Sequence, residues 1–228
     1  MEHIAANIAN IRARIEKAAA LSSRPASDIT LVAVTKTVSP EAASKALEFG
    51  VTDLGENRVQ ELTAKKPLLP EANWHMIGHL QTNKVRQVVG QAVLIHSVDS
   101  LKLAKEIGRV SVLRQLETDI LIEVNIGGED SKFGVSPAEA ADFTAECGKI
   151  SGVSVKGLMC VAPIAENPDD NRGYFQQMRK LFEAIALKGI DGVEMKHLSM
   201  GMTDDFECAI ECGATIVRVG TGIFGMRD

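Results

Sequence analysis

The sequence predicts an α/β fold: a single (β/α)8 TIM-type barrel with an extra N-terminal helix. Three observations carry that expectation. Eight short apolar runs alternate with helix-like segments, at roughly 25–30 residues per unit. The first of them, Thr30–Lys36, is β-branched or aliphatic at nearly every position, which suits a strand buried on both faces of a parallel sheet. Helix-start and turn chemistry separates them, with no linker or composition break to mark a second domain. Strict alternation implies right-handed crossovers. An open, doubly wound sheet is the structural alternative.

Residues 2–21 read as an amphipathic helix, with Ile4, Ile8, Ile11, Ile15 and Ala19 at steps of three and four. Ser22 to Asp28 is a polar loop. Thr30-Leu31-Val32-Ala33-Val34-Thr35-Lys36 is the first strand, and Ser39-Pro40-Glu41 supplies a cap, an N1 proline and an early acid for a helix over about 40–49. Val51 to Gly55 is the second strand, and Glu56 to Glu61 opens a helix that stops before Pro67. Asn73 to Gly78 is the third strand, Leu80 to Val89 the next helix, and Val93 to Val98 the fourth strand. Asp99-Ser100 cap a helix to about Gln115. Asp119 to Asn125 is the fifth strand, followed by a polar, Gly-rich loop from Ile126 to Gly134 and a helix opened by Ser136-Pro137. Val153 to Val161, Val193 to Ser199 and Thr215 to Gly220 complete the strands, separated by helices over about 168–188 and 204–212.

Composition is that of an ordinary globular protein: 228 residues, 45% hydrophobic, 24% charged. The formal net charge of -5 gives no basic footprint for nucleic acid. No apolar run approaches the roughly 20 residues of a membrane span, and the N-terminus lacks the basic and apolar regions of a signal peptide. Cys147, Cys160, Cys208 and Cys212 show no disulfide-framework spacing, so reduced thiols in a cytoplasmic protein are expected.

Several polar groups fall at the C-terminal ends of these strands, the catalytic rim of a barrel. Lys36 follows the first strand, Glu56 and Asn57 the second, His79 the third, and Asn125 ends the fifth. Partial desolvation of Lys36 at the rim would free its amine for Schiff-base chemistry. A lysine whose head snorkels to water is the alternative. Ser199-Met200-Gly201-Met202-Thr203 and Gly220-Thr221-Gly222 follow the seventh and eighth strands, where barrels hold phosphate with backbone N–H groups. Glycine allows close backbone approach, and the hydroxyls suit phosphate oxygens. A lysine on one side and a phosphate cradle on the other match the two ends of pyridoxal 5′-phosphate (PLP). Arg218, two residues before Gly220, would keep a pyridine nitrogen unprotonated and weaken the electron sink; pairing with a core acid is the equal alternative.

Six stretches in order, Val32–Lys36, Gly55–Glu61, Trp74–Lys84, His96–Asp99, Leu198–Met202 and Val217–Thr221, resemble the pyridoxal phosphate homeostasis protein family. The resemblance spans nearly the whole chain. It implies a fold like the N-terminal barrel of bacterial alanine racemase, with residues 1–228 as one PLP-binding unit. It also implies PLP as a Schiff base on Lys36. Ser199, Gly201, Gly220 and Thr221 would surround the phosphate, with Met200 of the same loop among the cofactor-binding residues. Arg218 would lie near the pyridine nitrogen and Asn57 close to the cofactor. It further implies a cytoplasmic monomer that serves vitamin B6 and amino-acid homeostasis without turnover, with PLP-dependent apo-enzymes as recipients. Thr35 stands where the family commonly has serine and keeps the hydroxyl; Arg58 stands where tyrosine is common and removes an aromatic beside Asn57.

Two rivals are a PLP-dependent amino-acid racemase with weak activity and a cofactor-free Schiff-base aldolase. A two-base racemase needs a group opposite the lysine, and the sole tyrosine, Tyr174, is expected on an outer helix. Other signals are set aside. Gly220 to Gly225 matches G-x-G-x-x-G, but the helix, strand and acid of a dinucleotide fold do not follow it. His75 and His79 have H-x-x-x-H spacing on a strand, without the zincin glutamate. Cys208 and Cys212 are half a metal site at best. His197 and Glu123 are expected to be paired structural residues.

Overall fold

The computed structural model describes residues 2–129 and 131–226; Met1, Asp130, Arg227 and Asp228 lie outside the described residues, Asp130 within the loop read from Ile126 to Gly134. Eight strands close into an all-parallel barrel in sequence order, β1 pairing with both β2 and β8. They are β1 (Thr30–Val34), β2 (Asp53–Glu56), β3 (Asn73–Met76), β4 (Leu94–Val98), β5 (Thr118–Glu123), β6 (Val153–Met159), β7 (Val193–Ser199) and β8 (Ile216–Val219). The helices are α1 (Glu2–Leu21), α2 (Pro40–Glu48), α3 (Val59–Lys65), α4 (Val85–Val88), α5 (Leu101–Leu113), α6 (Ala140–Gly148), α7 (Arg172–Ala186), α8 (Phe206–Glu211) and α9 (Thr221–Phe224). Closure removes both sheet edges and excludes the open, doubly wound alternative.

Most elements fall where the pattern puts them, and the differences are at helix starts. The segment read as a helix from Leu80 to Val89 is a 3-10 turn at Thr82–Lys84 followed by the single turn of α4. Ser136 forms the expected box with Glu139, accepting from its N–H at 3.3 Å, but regular helix begins only at Ala140. Residues 168–171 form a separate 3-10 turn before α7. At α2 the cap is as read: Ser39 accepts from the Ala42 N–H and Pro40 opens the helix.

Alternation along the strands sorts side chains into two cores. Leu54, Trp74, Met76 and Ile95 face the helices and join one large cluster with them. Val32, Leu94, Leu121, Met159 and Ile216 form a second, small cluster from the opposite strand faces, inside the barrel. The N-terminal helix packs its isoleucines (Ile4, Ile8, Ile11, Ile15) against this shell, beside α2, α8 and α9. Each isoleucine so buried contributes roughly 1.5–3 kcal/mol. Among the described residues no helix is long and apolar enough to cross a membrane.

Candidate functional site at the barrel rim

The strands end their pairing at Val34 and Val219, and the next residues in phase with the barrel interior are Lys36 and Gly220. A cavity of about 190 Å³ opens there, lined by Val34, Lys36, Met202, Thr203, Asp204, Arg218, Gly220 and Thr221. Four of the eight residues expected at a cofactor site therefore share one cavity wall: Lys36, Arg218, Gly220 and Thr221. A larger cleft of about 370 Å³ lies at the opposite end of the barrel, where β1 and β2 begin.

Thr203 is the centre of the β7–β8 side. Its Oγ1 lies 3.4 Å from the Gly220 N–H and 3.4 Å from the Gly222 N–H, and it accepts from the Thr221 hydroxyl at 3.2 Å. Two backbone donors and the Thr221 hydroxyl thus converge on the Thr203 oxygen at one wall of the cavity. Asp205 shapes the loop by accepting from the Met202 N–H at 2.7 Å and from Asn171 at 2.9 Å. Gly201 has φ +90°, and a Cβ there would sit 2.6 Å from the Ala209 Cβ and 2.9 Å from the Phe206 Cα, so the loop hugs α8 only because position 201 is glycine.

Arg218 crosses the barrel beneath this cavity. It is buried, with one Nη donating to the Ser199 hydroxyl and the other to the Cys160 carbonyl at 2.8 Å. Pairing with a core acid is not what the structure shows: among the described residues Arg218 makes no salt bridge. Burial lowers its proton affinity, and Cys160, Glu123 and Asp205 oppose that through space. A buried cation held by neutral acceptors favours an anionic or electron-rich ligand alongside it.

Lys36 departs from one expectation. Its side chain is exposed, so the barrel walls do not desolvate it. The turn carrying it is nevertheless held firmly. Lys65 is buried beneath the turn, donating to the Thr35 carbonyl (2.7 Å), Glu56 (2.8 Å) and Glu61 (2.9 Å). The Thr35 hydroxyl donates to the same Glu56 oxygen at 2.6 Å, and Glu61 accepts the Thr37 N–H at 2.7 Å. Burial raises the Glu56 pKa, against the bonds from Lys65 and Thr35. Thr37 sits at φ +60°, a left-handed conformation uncommon for a β-branched residue and sustained here by these contacts.

The other expected site residues lie elsewhere. Ser199 is buried and directs its hydroxyl at Arg218 and at His96 (3.0 Å) rather than into the cavity. Met200 is fully buried core, and the Gly201 carbonyl accepts the Arg218 N–H at 3.1 Å. Asn57 is exposed and outside the cavity lining; its backbone packs on Gly78, where a Cβ would meet the Asn57 carbonyl oxygen at 2.5 Å. Glu123 is not paired as expected. Among the described residues its Oε2 is buried without a partner, and burial, reinforced by Asp99 and opposed by Arg218, pushes the carboxyl to about 7. His79 stacks on Phe133 with centroids 3.8 Å apart and lines a different cavity from Lys36. The four cysteines are buried and unpaired, burial pushing Cys147, Cys160 and Cys208 up to about 12.

Reading motifs strand by strand placed Glu56 at the rim and Thr203 in the loop after the seventh strand without giving either its contacts, and missed Glu61 and Lys65 as parts of the site. Glu61 and Lys65 carried a usable signal, an i, i+4 acid–base pair on the second helix after the rim lysine.

Fold and site together define a class: a closed parallel barrel whose rim lysine shares a cavity with a buried arginine and with the glycine and threonine residues that follow β7 and β8. A family model, alanine racemase, N-terminal domain, matches residues 2–228. The chain belongs to the pyridoxal phosphate homeostasis protein family. It is 42% identical over 222 residues to the pyridoxal phosphate homeostasis protein of Aquifex aeolicus, covering 96% of each chain. The structure of PipY from Synechococcus elongatus with PLP bound superposes with a TM-score of 0.84 at 30% identity, over 97% of this chain and 100% of PipY. An alanine racemase of Clostridium difficile shares the fold alone, at TM-score 0.76 and 14% identity, over 100% of this chain and 57% of the racemase.

Proposed function

We propose that residues 1–228 act as one PLP-binding unit that holds the cofactor as a Schiff base on Lys36 and serves vitamin B6 and amino-acid homeostasis. The observation that carries this reading is the shared cavity of Lys36, Arg218, Gly220 and Thr221. The residues fit the cofactor's chemistry. Thr203, Thr221 and the Gly220 and Gly222 N–H groups offer donors for a phosphate; Lys36 offers an amine for the aldehyde. Arg218, a cation with no acid against it, suits an unprotonated pyridine nitrogen. When bound, PLP supplies a reactive aldehyde and an electron sink, and an arginine in place of an acid leaves that sink weak. The cradle residues orient the cofactor, and the Lys65 cluster fixes the turn from which Lys36 reaches it.

The reading extends to a protein without turnover that stores PLP or passes it to apo-enzymes, as a cytoplasmic monomer. Its support against a racemase is that Tyr174, on α7, is absent from the cavity lining. The test is a PLP titration of the purified protein beside its Lys36→Ala variant, followed by amino-acid turnover assays. Saturable binding that needs Lys36, with no turnover, supports the reading. Turnover of an amino acid replaces the carrier with an enzyme.

A further inference from the structure

A chain of hydrogen bonds runs through the barrel from the candidate site to its opposite end. Arg218 donates to Ser199; the Ser199 Oγ lies 3.0 Å from His96 Nδ1; His96 Nε2 lies 2.9 Å from His75 Nδ1; and His75 Nε2 lies 2.9 Å from Asp53 Oδ1. His96 and Ser199 are fully buried, His75 nearly so, and Asp53 is half-buried at the mouth of the large cleft at the far end. These contacts join groups 103, 21 and 22 residues apart in sequence.

The two ends set the direction of the chain. Arg218 can only donate, and a carboxylate can only accept. With both imidazoles neutral one arrangement satisfies every link: Ser199 donates to His96 Nδ1, His96 Nε2–H donates to His75 Nδ1, and His75 Nε2–H donates to Asp53. Reversal would place an unprotonated His75 Nε2 against the carboxylate, and would leave the buried Ser199 hydroxyl hydrogen without an acceptor among the described residues. Burial, with His75, Arg218 and His197 nearby, drives the His96 pKa well below its ordinary value and keeps it neutral. Every dipole in the chain then points its lone pair toward Arg218.

We propose that His96 is a positioning residue for Arg218: its Nε2–H tautomer, selected by His75 and Asp53, turns the Ser199 lone pairs toward the guanidinium and fixes it beneath the cavity. Asp53 thereby acts on the site from the other end of the barrel. The tautomer and the Arg218 contact concern this chain alone; only the effect on cofactor binding rests on the PLP reading.

The test begins with side-chain nitrogen NMR of histidine- and arginine-labelled protein without cofactor. The expected result is one protonated nitrogen, Nε2, on both His75 and His96, with slowly exchanging Arg218 guanidinium protons. An Nδ1–H tautomer or an imidazolium at His96 near neutral pH overturns the proposal. Asp53→Asn, half-buried and remote from the rim, should give mixed tautomers and speed Arg218 proton exchange roughly tenfold, with little change in melting temperature. PLP affinity should fall about three- to tenfold. His96→Asn, which keeps an acceptor near the Nδ1 position, should retain slow exchange, and His96→Leu should lose it. A redistributed tautomer with unchanged Arg218 exchange contradicts the proposal. If the wild-type protein takes no PLP, the cofactor reading fails while the tautomer and exchange results still decide this one.

Discussion

The Lys65 ammonium donates to the Thr35 carbonyl at 2.7 Å, so the residue preceding the rim lysine is held by a buried cation from the next helix but one. The same ammonium binds Glu56 and Glu61, and Glu61 returns to the Thr37 N–H. The peptide units on both sides of Lys36 are therefore tied to one ionic cluster. An exposed lysine gains a defined starting point in this way, without having to be buried itself.

Lys65→Met should break this arrangement. Removing one partner of a buried pair leaves Glu56 uncompensated and costs about 3–5 kcal/mol. The melting temperature should fall by roughly 6–20 °C for a chain of this size. The loss should shrink in acid, because Glu56 can then protonate, and adding Glu56→Gln should recover part of it. Thermal unfolding of the single and double variants at two pH values checks the coupling.

Glu123 gives the stability a pH dependence. Its folded pKa of about 7 lies above the ordinary carboxylate value, so the folded state binds the proton more tightly than the unfolded chain. Its contribution is full below about pH 4.5 and is lost as pH rises through 7, a change on the order of 3 kcal/mol. Glu123→Gln should flatten the stability profile over that window and be relatively more stable than the parent at pH 8. Denaturant unfolding from pH 5 to 8 measures it; parallel profiles for the two proteins would remove Glu123 as the cause.

Gly201→Ala should disturb both fold and site. Strain at φ +90° and the contacts with Ala209 and Phe206 leave the added methyl no room. The expected cost is about 2–4 kcal/mol, with weaker PLP binding as the Met202–Thr203 wall shifts. Gly128→Ala is the control. It also has positive φ, at +65°, but nothing lies within 4 Å of its added Cβ. It should cost roughly 1 kcal/mol and leave binding unchanged.

The barrel was legible because each strand carries its own signal. Leu94–Val98 and Ile216–Val219 are buried at every position, as strands of a sheet covered on both faces are, and the regular spacing of the eight segments supplied the rest. Helix starts were less legible, since Ser136 and Pro137 favour a turn as readily as a first helical turn. At the site, Lys36, Arg218, Gly220 and Thr221 could be brought to one rim because each lies at or just past the C-terminal end of a strand. Asn57 could not: it lies past the strand, in a loop whose path depends on Gly78. The inward turn of Ser199 was equally hidden, because its partner His96 is 103 residues away and meets it only once the barrel closes. The exposure of Lys36 was misjudged for a related reason. A strand's burial says little about the first turn beyond it.

The central claim is that PLP is carried as a Schiff base on Lys36. The most direct measurement is absorbance with added PLP before and after borohydride, then peptide mass mapping. The account predicts an imine band near roughly 420 nm, set by the cofactor's own chemistry, and a reduced pyridoxyl group on Lys36. Lys36→Ala should lose both while its stability stays within about 0.5 kcal/mol, since the side chain is exposed. No band and no reduced adduct, or an adduct on another lysine with Lys36 unmodified, would contradict the account.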